Sequence, residues 1–162
     1  LVTALIDFKY DYDANAPLSR VMPGLVADHP DIYGAMGIRD LGDRMLAQLR
    51  KTNQLHHLQK AFSTIPDARM SPADANQAMI RNRLERVALP QLADRTIATS
   101  IVPYPPGIPM MMPGETAGPA NGPWIGYLKA LQAWDHAFPG FGHDTHGVEV
   151  EDGEYYVQCV KG

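Results

Sequence analysis

Between Ile101 and Glu115 the chain reads IVPYPPGIPMMMPGE, and no other stretch so narrows what it can fold into. Pro103, Pro105, Pro106, Pro109 and Pro113 each fix φ and remove a backbone donor. A residue that precedes a proline is pushed toward extended shapes as well. The segment is therefore expected to be a stiff, extended connection that cannot pair as a central strand. Its rigidity lowers the entropy lost on ordering. Met110, Met111 and Met112 add soft apolar surface that fills irregular gaps. Three roles fit such a segment: a structural loop packed on its own domain, a wall at an interface or substrate entrance, or a proline-rich ligand for an aromatic groove.

The flanking sequence supplies ordinary elements. Leu1 to Phe8 is apolar and opens in mid-pattern, as the end of a helix begun upstream; the chain is read as a piece of a longer polypeptide, with Leu1–Gly24 linking to its earlier part. Asp11 to Gly24 has loop chemistry. From Asp40 to Phe62 the apolar residues Leu41, Met45, Leu46, Leu49, Leu55, Leu58 and Phe62 recur at helical spacing, with a break at Asn53. Ser71-Pro72 reads as an N-cap followed by a first-turn proline, and Asp74 adds charge of the favoured sign. Arg83 to Leu89 and Arg95 to Val102 alternate as strands do. Asn121 to Phe138 predicts a helix with Pro123 in its first turn and Trp124, Leu128 and Leu131 on one face. Asp152-Gly153 lies between two alternating runs and predicts a two-residue hairpin, because that turn needs positive φ at both central residues. The pattern is that of a single α+β domain: helices in the first half, then mixed strands and helices, then a C-terminal β-hairpin.

Composition excludes several function classes. The 162 residues carry a net charge of −4 and no long basic run, so neither nucleic acid nor an anionic membrane surface is an expected partner. No apolar run approaches the ~20 residues of a spanning helix. A single Cys159 rules out an internal disulfide and fits a reducing, cytoplasmic setting. No glycine-rich phosphate loop is present, and no Ser-His-Asp or Cys-His set emerges from spacing. His143, Asp144 and His146 are the one grouping with metal-ligand character, as in a small metal-dependent hydrolase, but no metal site is expected from two histidines and an aspartate in a loop. His56 and His57 project from different faces of a helix and do not by themselves form a site. Trp124 and Trp134 read as core residues, and Cys159 as a small buried hydrophobe.

The proline segment resembles the signature of the C-terminal domain of bacterial ornithine/lysine/arginine decarboxylases, fold-type-I enzymes that use pyridoxal 5′-phosphate. MSPADANQAMIRN is similar to the helix before that signature. YLKALQAWDHAFPGFGHDTHGVEVEDGEYYVQCVKG is similar to the family's closing segment and leans toward the ornithine branch. The resemblance is strong from about Met70 to Gly162 and looser before it. It implies an α+β domain that packs on an upstream cofactor-binding domain of the same chain and helps to line the substrate entrance, in an enzyme assembled as a homodimer or larger oligomer. The reaction it implies is α-decarboxylation of ornithine, lysine or arginine to a diamine or agmatine plus CO₂, with the cofactor ring as electron sink. Polyamine biosynthesis and acid resistance are the two settings it leaves open. The family's cofactor lysine sits in a Ser/Thr-x-His-Lys motif. None of Lys9, Lys51, Lys60, Lys129 and Lys161 follows a histidine, so no catalytic or cofactor-binding residue is assigned, and the chain alone is expected to be inactive. The residues that carry over are Tyr104, Pro105, Pro106, Gly107, Gly114 and Glu115, as channel-lining or interface candidates. The alternative is a non-catalytic protein-binding module that docks a partner through the proline-rich loop.

Overall fold

Asn53 sits at φ 50°, a left-handed conformation that asparagine tolerates, and there the long helical pattern breaks in two. The computed structural model describes residues 1–105 and 107–162. They form two compact units, Leu1–Lys51 and Thr52–Gly162.

The first unit is helical: α1 (Val2–Asp13), α2 (Leu18–Val21), α3 (Pro23–Asp28), α4 (Pro30–Tyr33) and α5 (Ile38–Lys51). The expected loop at Asp11–Gly24 is thus largely helical. Pro17 precedes α2, and Pro23 and Pro30 take the first positions of α3 and α4, where the missing N–H of proline costs nothing. These prolines start short helices rather than prevent them. The start of α5 is held from a distance. Asn15, at φ 49°, accepts from the backbone N–H groups of Arg39 (3.0 Å) and Asp40 (3.3 Å), and its amide donates to Asp40 (2.9 Å). Helix α1 buries none of its residues within its unit, and Leu5, Phe8 and Tyr10 stay exposed.

The second unit carries α6 (Gln54–Ser63), α7 (Pro72–Ile80), β1 (Leu84–Ala88), a 3-10 turn at Leu89–Gln91, β2 (Val102–Tyr104), α8 (Pro123–Ala137), β3 (Asp144–His146), β4 (Val148–Glu151) and β5 (Glu154–Val160). Ser71 caps α7 as its sequence demands, its hydroxyl accepting from the Asp74 N–H at 3.1 Å. An antiparallel sheet runs β1-β5-β4, with Val87 opposite Val157, and β2 pairs with β3 alone. The hairpin turn has positive φ at both Asp152 (53°) and Gly153 (81°). On β5, Tyr155, Val157 and Cys159 are buried in alternation. They meet Trp124, Leu128 and Leu131 of α8 and Ile97, Ile101 and Met111 in one apolar core. On the sheet's outer face Arg86 spans Glu149 (2.8 Å) and Glu151 (2.5 Å), with its guanidinium 3.6 Å from the centroid of the Tyr156 ring. The architecture is α+β and ends in the expected hairpin.

Two further expectations need correction. Arg95–Val102 is not one strand. Its residues pair singly with different partners: Thr96 with Thr116, Ile97 with Cys159 and Ile101 with Met111. Alternation registered its burial but not its lack of a common neighbour. Nor is the proline segment simply extended. The N–H of Met110 donates to the Ile101 carbonyl at 2.8 Å, and that of Ile101 to the Met111 carbonyl at 3.0 Å, so the loop leaves and returns at one point. Pro103 lies in β2 on a two-stranded sheet, where a missing donor is tolerated.

Candidate functional site

The returning loop is closed at its tip and anchored at its base. A cis peptide joins Tyr104 to Pro105, Gly107 turns at φ 76°, and the Gly107 N–H donates to the Pro103 carbonyl at 3.0 Å. At the base, Met110 and Met111 are buried in the core. Gly114 stands at φ 91°, donates to the Ile97 carbonyl (2.8 Å) and accepts from the N–H groups of Arg69 (2.8 Å) and Met70 (3.2 Å). A Cβ at Gly114 would fall 2.3 Å from the Met70 carbonyl oxygen, so that close approach needs a residue without a side chain. Glu115 turns back on the loop, where Oε2 accepts from the Met112 N–H at 2.7 Å.

This arrangement opens a cleft of about 240 Å³ between the loop and the end of α6, walled by Phe62, Ile65, Ile108, Met110, Met112 and Glu115. Ile65 is 87% exposed and Ile108 54%, so the rim offers apolar surface to solvent. Among the described lining residues Glu115 is the one ionisable group. The cleft therefore sets apolar side chains and polar groups around a single carboxylate, an environment that can take an alkyl chain ending in a cation. Of the loop residues singled out by sequence, Glu115 lies on the cleft and Gly114 is buried behind it. Tyr104, Pro105 and Gly107 sit exposed at the tip, the Tyr104 ring against Gly107. Pro106 falls outside the described residues. The part played by Ile65 and Phe62 was hidden in the sequence, because they reach the loop only through the fold.

The histidine-aspartate grouping comes apart. His143 turns to Asp135 on α8, whose Oδ1 accepts from the His143 backbone N–H (2.9 Å) and lies 2.8 Å from Nδ1, while Oδ2 accepts from the Tyr155 hydroxyl. Burial raises the Asp135 carboxyl, but these hydrogen bonds outweigh it and leave the group below the usual carboxylate range. Burial first, and Asp135 second, raise the Tyr155 phenol. The trio ties α8 to the closing loop and to β5. Trp134 adds to it by donating Nε1–H to the Phe141 carbonyl at 2.9 Å. Asp144 and His146 form a separate exposed pair at 3.4 Å. Among the described residues no group of three or more His, Cys, Asp or Glu is placed to hold a metal ion, and no helix is long and apolar enough to cross a membrane.

Pyridoxal phosphate needs a lysine amine held in a desolvated pocket. All five lysines of this chain are exposed. The residues present do not fit that cofactor, and no step through it is assigned to them.

Residues 55–161 match the family model described as Orn/Lys/Arg decarboxylase, C-terminal domain. Over 161 residues the chain is 50% identical to the biodegradative arginine decarboxylase of Escherichia coli K12, covering 99% of this chain and 21% of that protein. It is 38% identical to the lysine decarboxylase LdcA of Pseudomonas aeruginosa, covering 99% and 22%. Its fold superposes on the solved constitutive lysine decarboxylase of E. coli with a TM-score of 0.91 at 35% identity, covering 99% of this chain and 23% of that one. The chain thus spans about a fifth of the length of the curated relatives it matches.

Proposed function

Because this chain belongs to the Orn/Lys/Arg decarboxylase C-terminal domain family, we propose that it serves as the C-terminal domain of a pyridoxal-phosphate-dependent enzyme that decarboxylates a basic amino acid. The cofactor is held by an upstream domain of the same polypeptide, and the full protein assembles as a homo-oligomer in the cytoplasm. This chain supplies no reacting group. Its part is to pack on the cofactor domain and to shape the approach of the substrate.

The observation that carries the reading is the trough beside the signature loop, lined by apolar side chains and polar groups together and with Glu115 as its charge. Ornithine, lysine and arginine each combine an alkyl stem with a distal cation, and the trough complements both features. Met110 and Met111 fix the loop to the core, and Gly114 fixes it to the backbone of Arg69 and Met70. The carboxylate is therefore presented by a rigid element. The exposed apolar residues Leu5, Phe8 and Tyr10 of α1 provide a surface for docking on the upstream domain. Arginine, rather than the ornithine toward which the closing segment leans, is the first choice of substrate, since identity to the arginine enzyme is 50% against 38% to a lysine enzyme.

The test is CO₂ release by the full-length protein with added pyridoxal phosphate, using arginine, lysine and ornithine in turn. Turnover of arginine in preference to the other two is expected. Turnover of lysine or ornithine alone would overturn the substrate choice. Turnover of none would overturn the enzyme reading and favour the protein-binding module.

A further inference from the structure

The two histidines on different faces of α6 border one cleft. His56, His57, Lys60 and Thr64 of the α6 region face Asn121 and Pro123 at the start of α8 across a cavity of about 270 Å³. A second cavity of about 200 Å³ shares His57 and adds Lys129. His57 thus lines both. Among the described residues that line either cavity, the ionisable ones are His56, His57, Lys60 and Lys129, and none is a carboxylate. In a chain with 18 acidic and 14 basic residues, the paired cavity draws two lysines and no carboxylate to its lining.

The cavity pair is built by close packing. A Cβ on Gly126 would lie 2.4 Å from His57 Nδ1, so the imidazole rests directly on the α8 backbone, where a side chain would displace it. Trp124 donates Nε1–H to the Ala61 carbonyl at 3.2 Å, and the Phe62 and Tyr127 rings meet edge to face, which locks α6 to α8. Lys129 leans back along α8 toward the Ala120 carbonyl, 3.5 Å away. The N-cap of α8 is Gly122, which has no side chain to satisfy the free N–H groups of the first turn, and the helix dipole adds positive potential there. Burial first, and the neighbouring His56 second, hold His57 below its usual protonation range; a bound anion would offset both.

We propose that the paired cavity between α6 and α8, centred on His57 and flanked by Lys60 and Lys129, is a binding site for a phosphate-bearing small anion. Lys60 and Lys129 act as charges at its two ends, and Asn121, just before α8, adds a side-chain amide donor. This inference does not depend on the decarboxylase reading, because no residue of the signature loop lines the cavity pair.

The experiment is calorimetric titration of inorganic phosphate and of pyrophosphate into the full-length protein already saturated with pyridoxal phosphate, so that any cofactor phosphate position is filled. Lys60→Glu and Lys129→Glu are each expected to weaken binding about tenfold or more, the loss of one charge-assisted contact. Lys60→Gln, which removes the charge without reversing it, falls between. Lys161→Glu makes the same charge change outside the cavities and leaves affinity unaltered. Crystals soaked in tungstate should show anomalous density beside His57. No heat at ligand concentrations up to about 10 mM would overturn the proposal, that being the weak end of specific binding. So would equal weakening by Lys161→Glu, or affinity unchanged in both Lys60→Glu and Lys129→Glu.

Discussion

Replacing Gly114 by alanine isolates what the signature loop needs from its backbone. At φ 91° an L-residue is strained, at a cost of about 1–2 kcal/mol. The new methyl would also sit 2.3 Å from the Met70 carbonyl oxygen, a backbone atom that cannot turn aside as a side chain can. Relieving that clash moves the Arg69–Met70 backbone away and loosens the two hydrogen bonds it donates to the Gly114 carbonyl, each with a net worth of about 1 kcal/mol. The expected loss is about 3 kcal/mol, a large part of the ~5–15 kcal/mol that holds a typical domain together. In a chain of this length it lowers the melting temperature by about 6–12 °C. The assay is urea unfolding followed by circular dichroism, with Gly24→Ala as the control. A Cβ at Gly24 meets nothing within 4 Å, and its place inside α3 makes alanine neutral or favourable by up to about 1 kcal/mol. If Gly114→Ala unfolds within about 0.5 kcal/mol of the parent, the size of an ordinary surface change, the claim that this glycine fixes the loop is wrong.

Two further predictions concern the region behind the loop. The Asp135 carboxyl lies below its ordinary range in the folded state, so its contribution is present above the unfolded value of about 3.9 and is lost as pH falls through the lower folded value. Asp135→Asn should cost about 2 kcal/mol near pH 7, the worth of hydrogen bonds to a charged acceptor, and the gap from the parent should narrow below about pH 4. Urea midpoints measured against pH check this, and parallel curves would contradict it. Cys159 is fully buried, and burial pushes its thiol up to about 11. A thiol reagent at pH 8 should label it only on unfolding, whereas labelling of the native chain at the rate of a free thiol would show the core to be open at β5.

The parts of the fold that were legible are those whose causes lie within a few residues. Ser71 and Pro72 fix a helix start, Asp152-Gly153 fixes a hairpin, and Asn53 marks a break, because capping and left-handed turns are local events. The proline spacing was legible too, and it carried the family resemblance that the matched region later bore out. Where the reading failed, the causes are distant. Arg95–Val102 alternates like a strand but divides its bonds among Thr116, Cys159 and Met111, which sequence alone cannot bring together. His143 and His146 are neighbours in sequence, but Asp135 on α8 takes the first and leaves the second at the surface. His56 and His57 gain a shared setting only because the start of α8 brings Asn121 and Pro123 opposite them.

The most direct test of the central claim, that this chain steers a cationic substrate without taking part in the chemistry, is steady-state kinetics of Glu115→Gln in the full-length protein across ionic strength. The prediction is an unchanged kcat and a kcat/KM reduced about threefold at low salt, a difference that fades once the screening length falls below about 10 Å. A collapse of kcat would make Glu115 a reacting group, and a kcat/KM unchanged at every ionic strength would remove the trough from the substrate's path.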